Sequence, residues 1–196
     1  MSVTAKNTAS TTVFNLPNQL TGVRLLLSVV LFVLMALQYW LASMVVFIVA
    51  ASTDWLDGYL ARKYNLVTVL GRIFDPFVDK IIICGSFIFL VAVPKSGIAA
   101  WMAVVIVARE LLVTALRGYL EGEGINFSAS MSGKLKMVLQ CAATIVVLFY
   151  LSYIGGGAVA PRWLQITVLA TVWSAIVLTI YSGAVYVLAA VQLMRR

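Results

Sequence analysis

The sequence predicts an all-α integral membrane protein with six transmembrane helices and both termini in the cytoplasm. The chain is 63% hydrophobic and only 11% charged, whereas a soluble domain carries about 25% charge. Its mean hydropathy is +1.04. Apolar runs recur at residues 20–40, 41–61, 77–94, 98–119, 135–154 and 163–192, each near or above the ~20 residues that cross the hydrocarbon as a helix.

The chain opens on a polar head, residues 1–13, which is expected to be disordered. Residues 14–196 then read as a single six-helix domain. No short apolar stretch with a cleavage site precedes the first span, so no signal peptide is expected. In "LPNQLTGVR", Asn18 and Thr21 are candidates to cap the first helix. Arg24 opposes the helix dipole this early in a helix and is expected to face a polar cavity. Tyr39, Trp40, Trp101 and Trp163 fall near the outer span ends and read as interfacial belt residues.

The net charge is +7. Six spans with a cytoplasmic N-terminus put every Lys and Arg except Lys95 and Arg162 on or towards the inner side, so the charge is topological and nucleic acid is not an expected partner. A second role beside anionic membrane lipids is consistent with it. Cys84 and Cys141 have no CxxC spacing and read as small apolar fillers. Histidine is absent, which removes the commonest general base and metal ligand.

The second and third spans hold the unusual chemistry. Four of the seven acidic residues, Asp54, Asp57, Asp75 and Asp79, fall in "DWLDGYLARKYNLVTVLGRIFDPFVD". An unpaired Asp at the centre of a membrane helix costs roughly 2.5–3.5 kcal/mol, so chance is a poor account of four. Positions 54, 57, 58, 61 and 62 share one helix face, and Gly58 and Ala61 keep it thin, for helix packing or for close approach of a ligand. Gly71, Asp75 and Asp79 repeat every four residues and form a second face, with Pro76 expected in or near the first turn of its helix. Two short-linked antiparallel helices thus gather four carboxylates in a polar active-site cavity at the cytoplasmic end. Oxygen-only ligands favour hard cations such as Mg²⁺ or Mn²⁺, and four Asp suit a pair of them.

The pattern D-x2-D-G-x2-A-R-x8-G-x3-D-x3-D, complete from Asp54 to Asp79, resembles the signature of the CDP-alcohol phosphotransferase family. Eight fixed positions match by chance at about 10⁻¹⁰ per start point. The resemblance implies six transmembrane helices, a homodimer in the inner (cytoplasmic) membrane with its active site facing the cytoplasm, two divalent cations, and transfer of a phosphatidyl or similar group from a CDP-linked donor to an alcohol. It also implies that Asp54, Asp57, Asp75 and Asp79 ligate metal and that Asp79 is the base. The donor would be bound by Asn18, Thr21, Asp57, Gly58, Ala61, Arg62, Gly71 and Asp75. The chemistry agrees, because an attacking hydroxyl must lose a proton and without histidine the base is a carboxylate or water. Arg62 on the same face suits a donor phosphate.

The fourth span carries Arg109 and Arg117, eight apart on nearly one face, and Lys134 and Lys136 enter the fifth. Cations converging on the active-site end suit an acceptor that is itself a phosphate ester. Two readings stay open for Arg109, which could instead form a structural ion pair with Glu110, and for Lys136, which could snorkel to the interface. "PNQLTGVR", "ARE", "ALR" and "SGKLK" resemble the branch of the family that takes CDP-diacylglycerol as donor and sn-glycerol 3-phosphate as acceptor. Inositol phosphate or phosphatidylglycerol are alternative acceptors. A divalent-cation transporter would explain the carboxylates but not the fixed Gly58, Ala61, Arg62 and Gly71.

Overall fold

The computed structural model describes the backbone of residues 16–64, 69–123 and 131–194, with side chains except at 16–21, 54–64, 69–76, 121, 131–132 and 194. The expected polar head therefore lies outside the described residues. Six α-helices follow in order: α1 (Leu16–Ala36), α2 (Trp40–Tyr64), α3 (Val69–Val91), α4 (Ala100–Gly122), α5 (Met131–Gly155) and α6 (Arg162–Met194). Short connections make successive helices run back and forth, so the end of α2, the start of α3, the end of α4, the start of α5 and the end of α6 gather at one end of the bundle.

Among the described residues, Gly133–Gly155 and Arg162–Leu193 are long and apolar enough to cross a membrane, and Gly22–Ala36 and Trp40–Thr53 are shorter apolar helices. α4 is a continuous helix whose apolar run is broken by Arg109, Glu110 and Arg117. α3 begins at Val69, well before the apolar run at 77, because the charged segment preceding that run is also helical. Pro76 accordingly sits well inside α3 and not in its first turn, so the Arg72 carbonyl has no N–H to receive from that position. Likewise α1 starts at Leu16, which puts Asn18 and Thr21 within the helix and removes the expected capping role. Pro17 occupies the first turn instead, where its missing N–H does least harm.

α1 ends in a Schellman arrangement: Tyr39 N–H donates to Leu34 O at 2.9 Å and Gln38 N–H to Met35 O at 3.0 Å. Gln38 takes φ 61° there, a left-handed conformation more usual for glycine or asparagine. Trp40 opens α2. It is buried against the core and not at the interface, because Gly155 at the end of α5 leaves room for its indole. Tyr39, Trp101 and Trp163 are exposed, as belt residues are.

The core is apolar: Leu31, Phe47, Phe87, Leu90, Val147 and Ile176 are all buried in it. Hydroxyls within it bond their own helices, as Ser86 does to Ile82 O at 2.7 Å and Thr144 to Gln140 O at 2.9 Å. Both cysteines are thiols packed against this core, as the sequence suggests.

α1 and α3 approach closely at Gly85. A Cβ there would lie 2.2 Å from Cζ of Phe32, whose ring stacks on Phe89 at 5.2 Å between centroids. Between membrane helices such small residues allow van der Waals packing that lipid does not otherwise favour. Gly85→Ala is therefore expected to cost about 1–3 kcal/mol through overpacking, read as a lower Tm of detergent-solubilised protein. An unchanged Tm would show that Phe32 moves aside freely.

Candidate functional site

The motif residues of the second span, Asp54, Asp57, Gly58, Ala61 and Arg62, all lie on α2, which runs unbroken to Tyr64. Gly71, Asp75 and Asp79 lie on α3. Both helices are continuous over these positions, so the spacings of three and four residues place each set along one face. Asn18 and Thr21 lie on α1. Of all these, Asp79 alone has a described side chain.

Asp79 meets Arg24, the cation that reads as out of place in α1. Arg24 Nη1 donates to Asp79 Oδ1 at 2.6 Å, linking α1 to α3. Arg24 is buried, at 1% exposure, while Asp79 retains 23%. The expected turn of Arg24 towards a polar region thus has a definite form. A charge-assisted bond of this length orients the carboxylate.

A second polar cluster joins α4, α5 and α6. Glu110 Oε1 accepts from Arg109 Nη1 at 3.1 Å and also from Lys136 Nζ. Arg109, Glu110 and Lys136 are all buried. Arg109 Nη2 donates to Ser182 Oγ at 2.6 Å, and Arg117 Nη2 donates to the Tyr186 hydroxyl at 3.2 Å. The Tyr186 ring lies 5.5 Å from Cζ of Arg109 and 5.9 Å from that of Arg117, within range of a cation–π attraction to both. Arg109 reaches this place because Gly183 leaves room; a Cβ there would come within 3.1 Å of Arg109 Cγ.

Arg109, Arg117 and Lys136 therefore come together, as the sequence suggests. Lys136 does not snorkel: it turns inward to Glu110, because a buried carboxylate offers it a charged partner. The Arg109–Glu110 ion pair is real, yet Arg109 is also held by α6. Lys134 is exposed on α5.

Sequence reasoning missed the contribution of α6. Thr179, Ser182, Gly183 and Tyr186 are spaced i, i+3, i+4, i+7, a polar and small face on an otherwise apolar helix, and this was the available signal. Thr179 Oγ1 accepts from Gln140 Nε2 at 2.9 Å, so the polar contact between α5 and α6 continues towards the middle of the bundle. At the opposite end of the bundle, the groove lined by Gln38, Trp40, Ser152 and Gly155 has no charged residue among those that line it.

An all-helical apolar chain with carboxylates along two helices and buried cations at the same end has the features of a membrane enzyme handling phosphorylated substrates. The profile of the CDP-alcohol phosphatidyltransferase family matches residues 14–181, and the chain belongs to that family, a group of membrane transferases in phospholipid biosynthesis. It is 38% identical over 152 residues to a Bacillus subtilis protein, covering 70% of this chain and 78% of that one. It is 35% identical over 175 residues to a Rickettsia typhi protein, covering 88% and 94%. With a Salmonella typhimurium protein it shares 32% identity over 183 residues, covering 90% and 95%. All three relatives are named CDP-diacylglycerol–glycerol-3-phosphate 3-phosphatidyltransferase.

Proposed function

We propose that this chain transfers the phosphatidyl group from CDP-diacylglycerol to sn-glycerol 3-phosphate, giving phosphatidylglycerophosphate and CMP. The names of its relatives support the reaction. The observation that carries the acceptor is the cluster of buried Arg109 and Lys136 with half-buried Arg117, since several cations withdrawn from water together suit a phosphate ester rather than a neutral alcohol.

Asp54, Asp57, Asp75 and Asp79 would hold two divalent cations, Mg²⁺ or Mn²⁺. An all-carboxylate donor set without histidine fits hard ions, and when bound they supply positive charge against the diphosphate of the donor. Asp57, Asp75, Gly58, Ala61, Arg62, Gly71, Asn18 and Thr21 line the donor's nucleotide and diphosphate in this reading, with the small residues allowing close approach. Asp79, oriented by Arg24, takes the proton of the acceptor hydroxyl as its oxygen bonds to the phosphatidyl phosphorus. The bond from that phosphorus to the CMP oxygen breaks, and CMP leaves. Arg109, Arg117, Lys134 and Lys136 hold the acceptor's phosphate. The same reading takes 14–196 as one domain that spans the inner membrane six times. Both termini and the site face the cytoplasm, and the enzyme is a homodimer.

Purified protein offered CDP-diacylglycerol with each alcohol in turn tests this. Glycerol 3-phosphate should support CMP release, with inositol phosphate and phosphatidylglycerol inactive. Ala at Arg117 or Lys134 should raise KM for glycerol 3-phosphate about tenfold and leave that for CDP-diacylglycerol near wild type, the pattern of lost ground-state binding. Preference for another alcohol would reassign the acceptor. Metal flux into proteoliposomes without CMP release would instead mark a transporter.

A further inference from the structure

Glu110 is the single acidic residue with a described side chain in the cluster between α4, α5 and α6. Its Oε1 is shared by two cations from different helices, Arg109 of α4 and Lys136 of α5. A carboxylate in that place has two physical effects. It fixes the two cations relative to one another, and it offsets part of the positive charge of Arg109, Arg117 and Lys136, which Lys80 of α3 lies close enough to repel. The cluster stays net positive, which suits a phosphate monoester dianion. A phosphodiester monoanion or a neutral alcohol would leave buried charge uncompensated.

Two donors are kept in reserve. Nε of Arg109 and Nε of Arg117 are buried and have no hydrogen-bond partner among the described residues. Buried donors are seldom left unsatisfied, and an anion entering the cluster would satisfy these. Tyr186 and Ser182 brace the same two guanidinium groups from α6.

We infer that Glu110 is a positioning residue for the acceptor, holding Arg109 and Lys136 in place and tempering the positive charge that receives a phosphate monoester dianion. This rests on the acceptor-phosphate role proposed for the cluster. Glu110 works through the two cations and need not touch the substrate.

The test uses the full chain in detergent micelles, with Glu110→Gln, Glu110→Asp, Lys136→Met and the Glu110→Gln/Lys136→Met double variant. Glu110→Gln should raise KM for glycerol 3-phosphate about tenfold or more while KM for CDP-diacylglycerol stays within about twofold. Glu110→Asp, which keeps the charge on a shorter stem, should recover part of the loss. The double variant should be little worse than Lys136→Met alone, because the two act as one unit. Methyl phosphate should inhibit wild type more strongly than dimethyl phosphate, and Glu110→Gln should narrow that preference.

Wild-type KM for glycerol 3-phosphate in Glu110→Gln overturns the proposal. So does a parallel rise in both KM values with a lowered Tm, which marks a structural tie between helices. If Glu110→Gln does not accumulate as folded protein, Glu110→Asp decides: a selective rise in the acceptor KM supports the role, and none removes it. Arg117→Ala and Lys134→Ala in the same assay separate the two levels. If they also leave the acceptor KM unchanged, the acceptor-phosphate role falls and takes this inference with it. If they raise it and the Glu110 variants do not, only the role of Glu110 falls.

Discussion

Asn in place of Asp54, Asp57 or Asp75 is expected to reduce kcat/KM by about 10³-fold or more, which is about 4 kcal/mol of lost transition-state stabilisation. Asn has nearly the size of Asp but no charge, and the proposed cation site consists of nothing but carboxylates. Removing one weakens cation binding and the electrostatic stabilisation of a reaction in which charge develops on the departing CMP. Chelation of the wild-type protein should have the same effect, reversed by Mg²⁺ or Mn²⁺. A thermal scan separates lost chemistry from lost fold: without cations, clustered carboxylates repel, so an Asn variant should melt no lower than wild type in chelator. Full turnover in chelator would end the two-cation account.

Asp79→Asn is the second large effect, with an expected loss of about 10²–10⁴-fold in kcat, the usual range for removing a general base. Asn can still accept a hydrogen bond from Arg24 but cannot take a proton from the acceptor hydroxyl. The variant should bind CDP-diacylglycerol in the presence of metal, and saturating Mn²⁺ should not restore its kcat. Rescue by Mn²⁺ would confine Asp79 to metal binding and pass the base role to water. Some fall in Tm is expected as well, because the ion pair linking α1 to α3 is weakened. That fall is read from a thermal scan, independently of turnover.

Six helices were legible in the sequence because each apolar run is about as long as a helix needs to be to cross the hydrocarbon. Their limits were less so. Hydropathy reports the part of a helix that is apolar, and α3 continues as a helix through Gly71, Arg72 and Asp75, where polarity hides it from a hydropathy reading. Trp40 shows the same limit: aromatic residues near span ends usually face the interface, and only the neighbouring Gly155 on another helix turns this one inward. Along one helix, spacing fixes which residues share a face, so Asp54 with Asp57, and Arg109 with Arg117, could be grouped from their positions in the chain alone. Spacing does not fix how far each helix is rotated against its neighbours. The contact of Arg24 with Asp79, 55 residues away, and that of Lys136 with Glu110, 26 away, depend on that rotation. Ser182 and Tyr186 escaped notice for a related reason. Hydroxyl side chains in an apolar helix are common and usually bond their own backbone, so they draw attention only when a guanidinium is seen against them.

The chain turns between α5 and α6 through Gly156–Pro161, with Gly157 at φ +81° and Val159 90% exposed. This turn lies towards the opposite end of the bundle from the aspartates and from Glu110. A Val159→Cys substitution there would act as an address label. Cys84 and Cys141 are partly buried, so a thiol reagent that cannot pass a bilayer would mark the new cysteine in sealed vesicles from one side only. The face of the membrane on which the proposed acceptor would be taken up could then be read from a position outside the proposed site.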